Sequence, residues 1–332
     1  MKKSLPSLAA LLLALSGAAS RAQTPPPAGL VSGPAGASTA AASAAPADPQ
    51  GDVLLEHAIA NLEAAPSISA KIRHRVELLG RPISGVGEYV QQGRGPTRQF
   101  RLVLDLQTQL SATKIEHTCD GQQLWLLEEF DNKRSLSVVD VSRLQRATPK
   151  VGSSSPTAPM WWLSLGGLPK LAGSLKDSFQ FGEVVANRLD DLAVWSVEGR
   201  WRPERLAQFL PEQGDAIRAG QGADLSQLTP NVPHKVVVHV GYDDLFPYRI
   251  EYWRTESDDK GATSEKLMLV MEWYEVRFAA PIEAARFAFQ PPVKVDREEP
   301  LTPTDRTQDW LDRLGLQDPP PVEATRRLRS RL

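Results

Sequence analysis

The chain of 332 residues has a single cysteine, Cys119, so no internal disulfide is available. A reactive or metal-binding thiol would need partners that the surrounding sequence does not supply, and Cys119 reads as a small core residue. His117 lies two residues away on the same expected strand face; two ligand types without a third or fourth make no metal site. Catalytic signatures are missing too. There is no G-x-S-x-G elbow, no H-E-x-x-H pair, no phosphate-binding loop and no G-x-G-x-x-G after a strand. The doublets Asp190-Asp191, Asp243-Asp244 and Asp258-Asp259 offer paired carboxylates, but each falls between expected strands, where Asp is a turn former. With no catalytic residue, cofactor or metal to name, a non-enzyme is expected. An excess of charge of one sign is also lacking: the net charge of −2 argues against a nucleic-acid partner.

No apolar run approaches the roughly 20 residues of a membrane-spanning helix. The run Leu8 to Leu15, behind Lys2 and Lys3 and ahead of small residues, instead has the layout of a signal peptide cleaved near Ala22. No cysteine stands near that point, which excludes a diacylglyceryl anchor, so an exported, periplasmic, soluble chain is expected. Residues 23–50 are almost wholly Ala, Pro, Gly, Ser and Thr, a composition that cannot offset its ordering entropy and is expected to form a disordered linker.

What the chain does have, from residue 51 onward, is strand periodicity. A helix is expected over Val53 to Leu62, with Asp52 as N-cap and Pro66 as stop. Alternation then sets Ile68, Ala70, Ile72, His74, Val76 and Leu78 on one face and Lys71, Arg73, Arg75 and Glu77 on the other. His74, on the apolar side, reads as a satisfied core histidine. Strands are expected at 85–91, 98–108, 113–118, 122–129 and 135–141, and again at 179–187, 192–198, 235–241, 248–255 and 266–278. The turns between them are rich in Gly, Asp and Asn, which gives an antiparallel meander. Residues 149–173, with Trp161 and Trp162 among glycines and prolines, are expected to form a loop with short helical turns. Residues 201–233 read as an insertion with a helix at 203–209, and 298–332 as a Pro- and Arg-rich tail with a short amphipathic helix. Arg326, Arg327, Arg329 and Arg331 in that tail read either as a solvated, frayed end or as a weak attraction to anionic lipid surfaces.

The apolar faces exceed what a flat sheet with one strong helix can cover. Phe100, Leu102, Leu104 and Leu106 form one such face, Val236, Val238 and Val240 another, and Leu267, Leu269, Met271 and Trp273 a third. Curling around a helix-lined cavity and closing over a filled core both answer that demand, and periodicity does not choose between them.

One further pattern bears on the choice. Val276-Arg277-Phe278 runs into Pro281, and Glu283-Ala284-Ala285-Arg286-Phe287-Ala288-Phe289-Gln290-Pro291-Pro292 follows. This resembles the C-terminal signature of the LolA lipoprotein carriers. Asp120-Gly121-Gln122-Gln123-Leu124-Trp125 resembles their Asp-Gly-x-x-Leu-Trp hairpin, Gly87-Glu88-Tyr89-Val90 the strand before it, and Ile68-Ser69-Ala70 their first strand, in the same order over about residues 52–295. The resemblance implies a mainly β, α+β fold: an incomplete, half-open antiparallel barrel of ten or eleven strands with short helices plugging a hydrophobic cavity. It also implies a monomeric carrier in the cell envelope that shelters the acyl chains of lipoproteins or other lipids between an inner-membrane donor and an outer-membrane acceptor, possible partners in protein transport. The cavity is then expected to be lined by Ile72, Val76, Phe100, Leu102, Leu104, Trp125, Leu127, Val238, Ile250, Tyr252, Met271 and Trp273, with Trp161 and Trp162 at the lid. Arg94 and Arg98 are the candidates for its latch, neither in the family's Arg-Pro context. The insertion, linker and tail depart from the typical carrier and resemble a divergent branch of a superfamily that includes LolB and the regulator RseB. A sensor of RseB type, or an envelope module without ligand, is the alternative.

Overall fold

The computed structural model describes residues 50–78, 81–107, 111–130, 133–149, 159–257, 262–290 and 301–319. The expected signal peptide, the linker up to residue 49, Asp258-Asp259, Pro291-Pro292 and the arginine-rich end lie outside them.

Alternation of apolar and charged residues produces the first half of the sheet. β1 (Ser67–Leu78), β2 (Arg81–Gln92), β3 (Gln99–Gln107), β4 (Ala112–Cys119), β5 (Gln123–Phe130) and β6 (Lys133–Asp140) form an antiparallel meander. The second half is built by β8 (Phe179–Leu189), β9 (Leu192–Trp201), β10 (Lys235–Gly241), β11 (Pro247–Ser257) and β12 (Thr263–Phe278), after a two-residue β7 (Thr148–Pro149) that stands outside the large sheet. β12 returns to pair antiparallel with β1, so the order is β6-β5-β4-β3-β2-β1-β12-β11-β10-β9-β8. Among the described residues β6 and β8 do not pair. The sheet is therefore an open half-barrel of eleven long antiparallel strands, as expected.

The pairing register separates two faces. Phe100, Cys119, Leu124 and Val139 lie opposite one another across β3 to β6, and Ile72, Gly87 and Leu104 do so across β1 to β3. Apart from half-buried Gly87, these inner rows are buried. The outer rows carry charge, with ion pairs Lys71–Glu275 at 2.7 Å and Arg73–Glu272 at 2.9 Å joining β1 to β12.

Helices cover the inner face. α1 (Gln50–Ala64) buries Leu55, Ala58 and Leu62, spaced for one helical stripe. It begins before Asp52, which is therefore not an N-cap. The Asp52 carboxylate instead accepts from the Phe181 N–H at 3.0 Å and pairs with Arg202 at 2.9 Å, tying α1 to β8 and to the start of the insertion. After α2 (Val141–Arg146) comes α3 (Pro159–Ser178), where a loop with short turns is expected from the sequence. The difference has a local cause: the chain is helical on both sides of Gly166-Gly167 and breaks only there, with Gly167 at φ 71°. The glycines and Pro169 that argued against regular structure are confined to this joint.

Residues 201–233 supply α4 (Pro203–Phe209) and α5 (Gly214–Arg218) and bury Leu206, Leu210, Ile217, Leu228 and Val232 in the same core. Arg254 clamps the end of this insertion by donating to the carbonyls of Leu228, Thr229 and Val232. The packed unit also extends past the boundary expected at 297. β13 (Thr304–Asp305) pairs parallel with β6 at Ser137 and Val138, and β14 (Leu316–Gln317) pairs with β7. Between them α6 (Thr307–Arg313) buries Trp310 and Leu311, and Leu314 follows. The segment shields the backbone edge of β6, an exposed template in any open sheet.

Candidate functional site

The inner face gathers Ile72, Val76, Phe100, Leu102, Leu104, Val238, Ile250, Tyr252, Met271 and Trp273, drawn from β1, β3, β10, β11 and β12, into one continuous buried apolar cluster. Each stands at an inward step of its strand. Trp125 and Leu127 do not join them. Both lie in register with outer-face residues, Trp125 opposite Thr118 and Val138 and Leu127 opposite Glu116. Their neighbours Leu124 and Leu126 point inward instead, because successive strand residues alternate faces. Trp125 stacks on Phe289 with ring centroids 4.8 Å apart. The C-terminal signature thus closes over the outer face: Arg286 bonds Glu88 at 2.9 Å and Phe287 is fully buried.

The two tryptophans of α3 also part company. Trp161 is buried, meets the Trp310 ring edge-on at 4.2 Å and lies under the Arg313 guanidinium. Trp162 is half-buried beside Lys170.

Polar groups converge on the break in α3. The Leu168 N–H reaches the Tyr89 hydroxyl at 3.1 Å and Gln91 Oε1 at 3.3 Å, while Tyr89 donates to the same Gln91 oxygen at 2.7 Å. Arg98, 4% exposed, donates to the Gly166 carbonyl at 3.2 Å and pairs with Glu63 of α1. Arg98 therefore bridges the sheet, α1 and the hinge of α3. Arg94 is exposed and donates at 2.6 Å to the Ala64 carbonyl at the end of α1. A side chain at Gly167 would run into Tyr89 and Gln91. Burial pushes the Tyr89 phenol well above its usual range, so it is a neutral donor.

His117 and Cys119 both sit on the inner face without forming a metal centre. His117 Nδ1 is 2.8 Å from Ser164 Oγ of α3, and burial lowers its pKa to about 4. Cys119 accepts from the Gly121 N–H at 3.4 Å, and burial pushes its thiol up to about 12. Asp190-Asp191 and Asp243-Asp244 occupy hairpin turns, where Asp244 accepts from Phe246 N–H and from the Tyr248 hydroxyl.

A line of polar residues on the outer face of β9 to β11 has no spacing signal that would announce it. Ser196 Oγ lies 2.7 Å from His239 Nδ1, and His239 Nε2 lies 3.7 Å from Glu251. The order is that of a nucleophile, base and acid. It rests on the flat of a fully paired stretch of sheet, however, so the backbone N–H groups around Ser196 are held in the ladders to β8 and β10. Glu251 is meanwhile held by Arg249 and by the Trp253 indole N–H at 2.9 Å. A hydrolytic site needs free donors aimed at a developing oxyanion, and the backbone donors of this stretch are spent on the ladders.

No protein-family model matches the chain, and no curated protein does. Among solved structures it is similar to LprF from Mycobacterium bovis, at 11% identity over 72% of this chain and 97% of that one, with a TM-score of 0.36. It is similar to the lipoprotein LppX from Mycobacterium tuberculosis, at 11% identity over 71% of this chain and 99% of that one, TM-score 0.33. A third similar structure is the MucA/MucB complex of Pseudomonas aeruginosa, at 10% identity over 72% of this chain and 60% of that one, TM-score 0.33.

Proposed function

We propose that this protein is a periplasmic, non-enzymatic acyl-chain carrier of the cell envelope, which shelters lipid or lipoprotein chains against the inner face of its half-barrel. The observation that carries this reading is the cover. A broad apolar sheet face is closed not by a second sheet but by short helices, and α3 is broken at its centre by a glycine pair held through a few hydrogen bonds. Such a cover can be lifted without unpairing a strand. Acyl burial contributes about 0.8 kcal/mol per methylene, so a loosely fitting face still holds a chain firmly. In this reading Arg98 is the latch, because it grips the hinge carbonyl from the sheet, and Trp161 is the lid's contact with α6. The resemblance of the C-terminal signature and the Asp-Gly-x-x-Leu-Trp hairpin to the lipoprotein carriers supports the same class. Delivery between an inner-membrane donor and an outer-membrane acceptor would follow from it.

A second reading, a lipid or lipoprotein sensor of RseB type, is favoured by one feature: the segment 301–319 occupies the β6 edge, where a partner chain could also pair. Uptake of a fluorescent fatty acid tests the shared premise. The wild type should bind it saturably. Leu104→Glu should abolish binding, because an unpaired carboxylate on that face opposes acyl burial, and it should also lower the urea midpoint, since Leu104 is buried in the closed molecule. Absence of wild-type binding would refute both readings.

A further inference from the structure

The inner face is not uniformly apolar. His74 is 1% exposed, yet neither Nδ1 nor Nε2 has a hydrogen-bond partner among the described residues. Met271 lies directly opposite on β12, and Trp273, opposite Ile72, is its diagonal neighbour. Trp273 is likewise 1% exposed, and its indole Nε1 also lacks a partner. Buried polar groups in folded proteins are nearly always paired, and an unpaired one weakens the closed molecule. Here three unpaired nitrogens share one diagonal of the face, flanked by Ile72 and Met271. Diagonal neighbours on a sheet stand about 7–8 Å apart, within reach of one another for side chains of this size, so both can address one small group. Burial keeps the imidazole neutral, its pKa lowered to about 4, so it offers one N–H and one lone pair. The indole adds a second N–H.

We propose that His74 and Trp273 form the polar end of the acyl site and bind the carbonyl oxygen of an acyl group, whether ester, amide or carboxyl; this rests on the acyl-binding reading above. Two donors within reach of one small group match a carbonyl oxygen, which a bare hydrocarbon lacks. The remaining imidazole lone pair accepts from an amide N–H or a carboxyl O–H. The site selects an acylated ligand over alkane-like surface and fixes how far a chain enters the half-barrel.

The test is displacement of a fluorescent fatty acid from the mature chain by a hydrocarbon, its methyl ester and the free fatty acid of matched length. Wild type, His74→Leu and Trp273→Phe are compared. The wild type should prefer both oxygenated probes to the hydrocarbon by about tenfold. Each variant should lose most of that preference, read as the ratio of oxygenated probe to hydrocarbon within the same variant. Equal binding of ester and acid identifies the shared carbonyl as the recognised group, and preference for the acid identifies a free carboxyl. Trp273→Phe keeps a ring in place, so it decides the question even if His74→Leu fails to fold. A wild type that binds all three probes equally, or variants that keep the preference, would overturn the proposal while leaving the acyl-carrier reading intact. Binding of none of them would overturn both.

Discussion

Replacing Gly167 by alanine should loosen the cover of the inner face without touching the sheet. The residue sits at φ 71° and ψ −161°, a region that side-chain-bearing residues almost never occupy and that costs them about 1–3 kcal/mol. The added Cβ would also meet Tyr89 Oη and Gln91 Oε1, the two atoms that receive the Leu168 N–H. Moving them aside leaves that buried N–H unsatisfied, at a further cost of about 1–3 kcal/mol. The two effects overlap, since a shift in one relieves the other, so the expected loss is about 2–4 kcal/mol. Urea denaturation reads it as a fall in midpoint at unchanged slope. If α3 is a lid, the same substitution should raise the rate of fluorescent fatty-acid uptake, because part of the opening cost is already met in the variant. A change in stability below about 0.5 kcal/mol would show that Gly167 is not held as described. A large loss of stability with slower uptake would show that α3 is part of the binding surface rather than its cover.

Acid should destabilise the protein between pH 7 and 5. His74, His117 and His234 have folded pKa values lowered to about 4, by burial and, at His234, also by the Arg254 charge, so between about 6.5 and 4 only the unfolded chain takes up their protons. Stability is therefore lost as pH falls through that window, by about 2 kcal/mol for each histidine at pH 5. His74→Leu should flatten the urea midpoint against pH by roughly a third, and an unchanged profile would refute the assignment. Trp310→Ala, which removes a buried ring packed edge-on against Trp161, should cost about 3–5 kcal/mol in a single cooperative transition. A separate early transition, or none of that loss, would show that 301–319 is not part of the core. Arg98→Leu should speed acyl uptake in stopped-flow measurements, whereas Arg94→Leu, at an exposed helix end, should not. Equal effects would remove Arg98 as the latch.

The sheet was legible because its signal is local. Strands such as β3, with Phe100, Leu102, Leu104 and Leu106 on one side and Arg101 and Asp105 on the other, carry their own period, and the eleven long strands were expected within a few residues of their bounds. Facing was less legible. Trp125 and Leu127 look like lining residues by size, but only the register with Thr118 and Glu116 decides that they point outward. α3 was missed because Gly166, Gly167 and Pro169 lower helix propensity over a whole window, while the structure confines the break to two residues. The roles of Trp310 and Leu311 were hidden for another reason: a short amphipathic segment ahead of a proline run reads as a tail until the Trp161 face and the β6 edge that it covers are known. The polar clusters at Arg98 and at His74 depend on contacts between residues far apart in the chain, such as Arg98 with Gly166, which no spacing rule reports.

The central claim is that the inner face takes acyl chains. Native mass spectrometry of the protein purified without detergent from its own cells addresses it most directly. The account predicts a population carrying an added mass that fragments to fatty acyl groups, and loss of that population in Leu104→Glu. A single apo mass for the wild type, together with failure to acquire acyl lipid from vesicles, would contradict it.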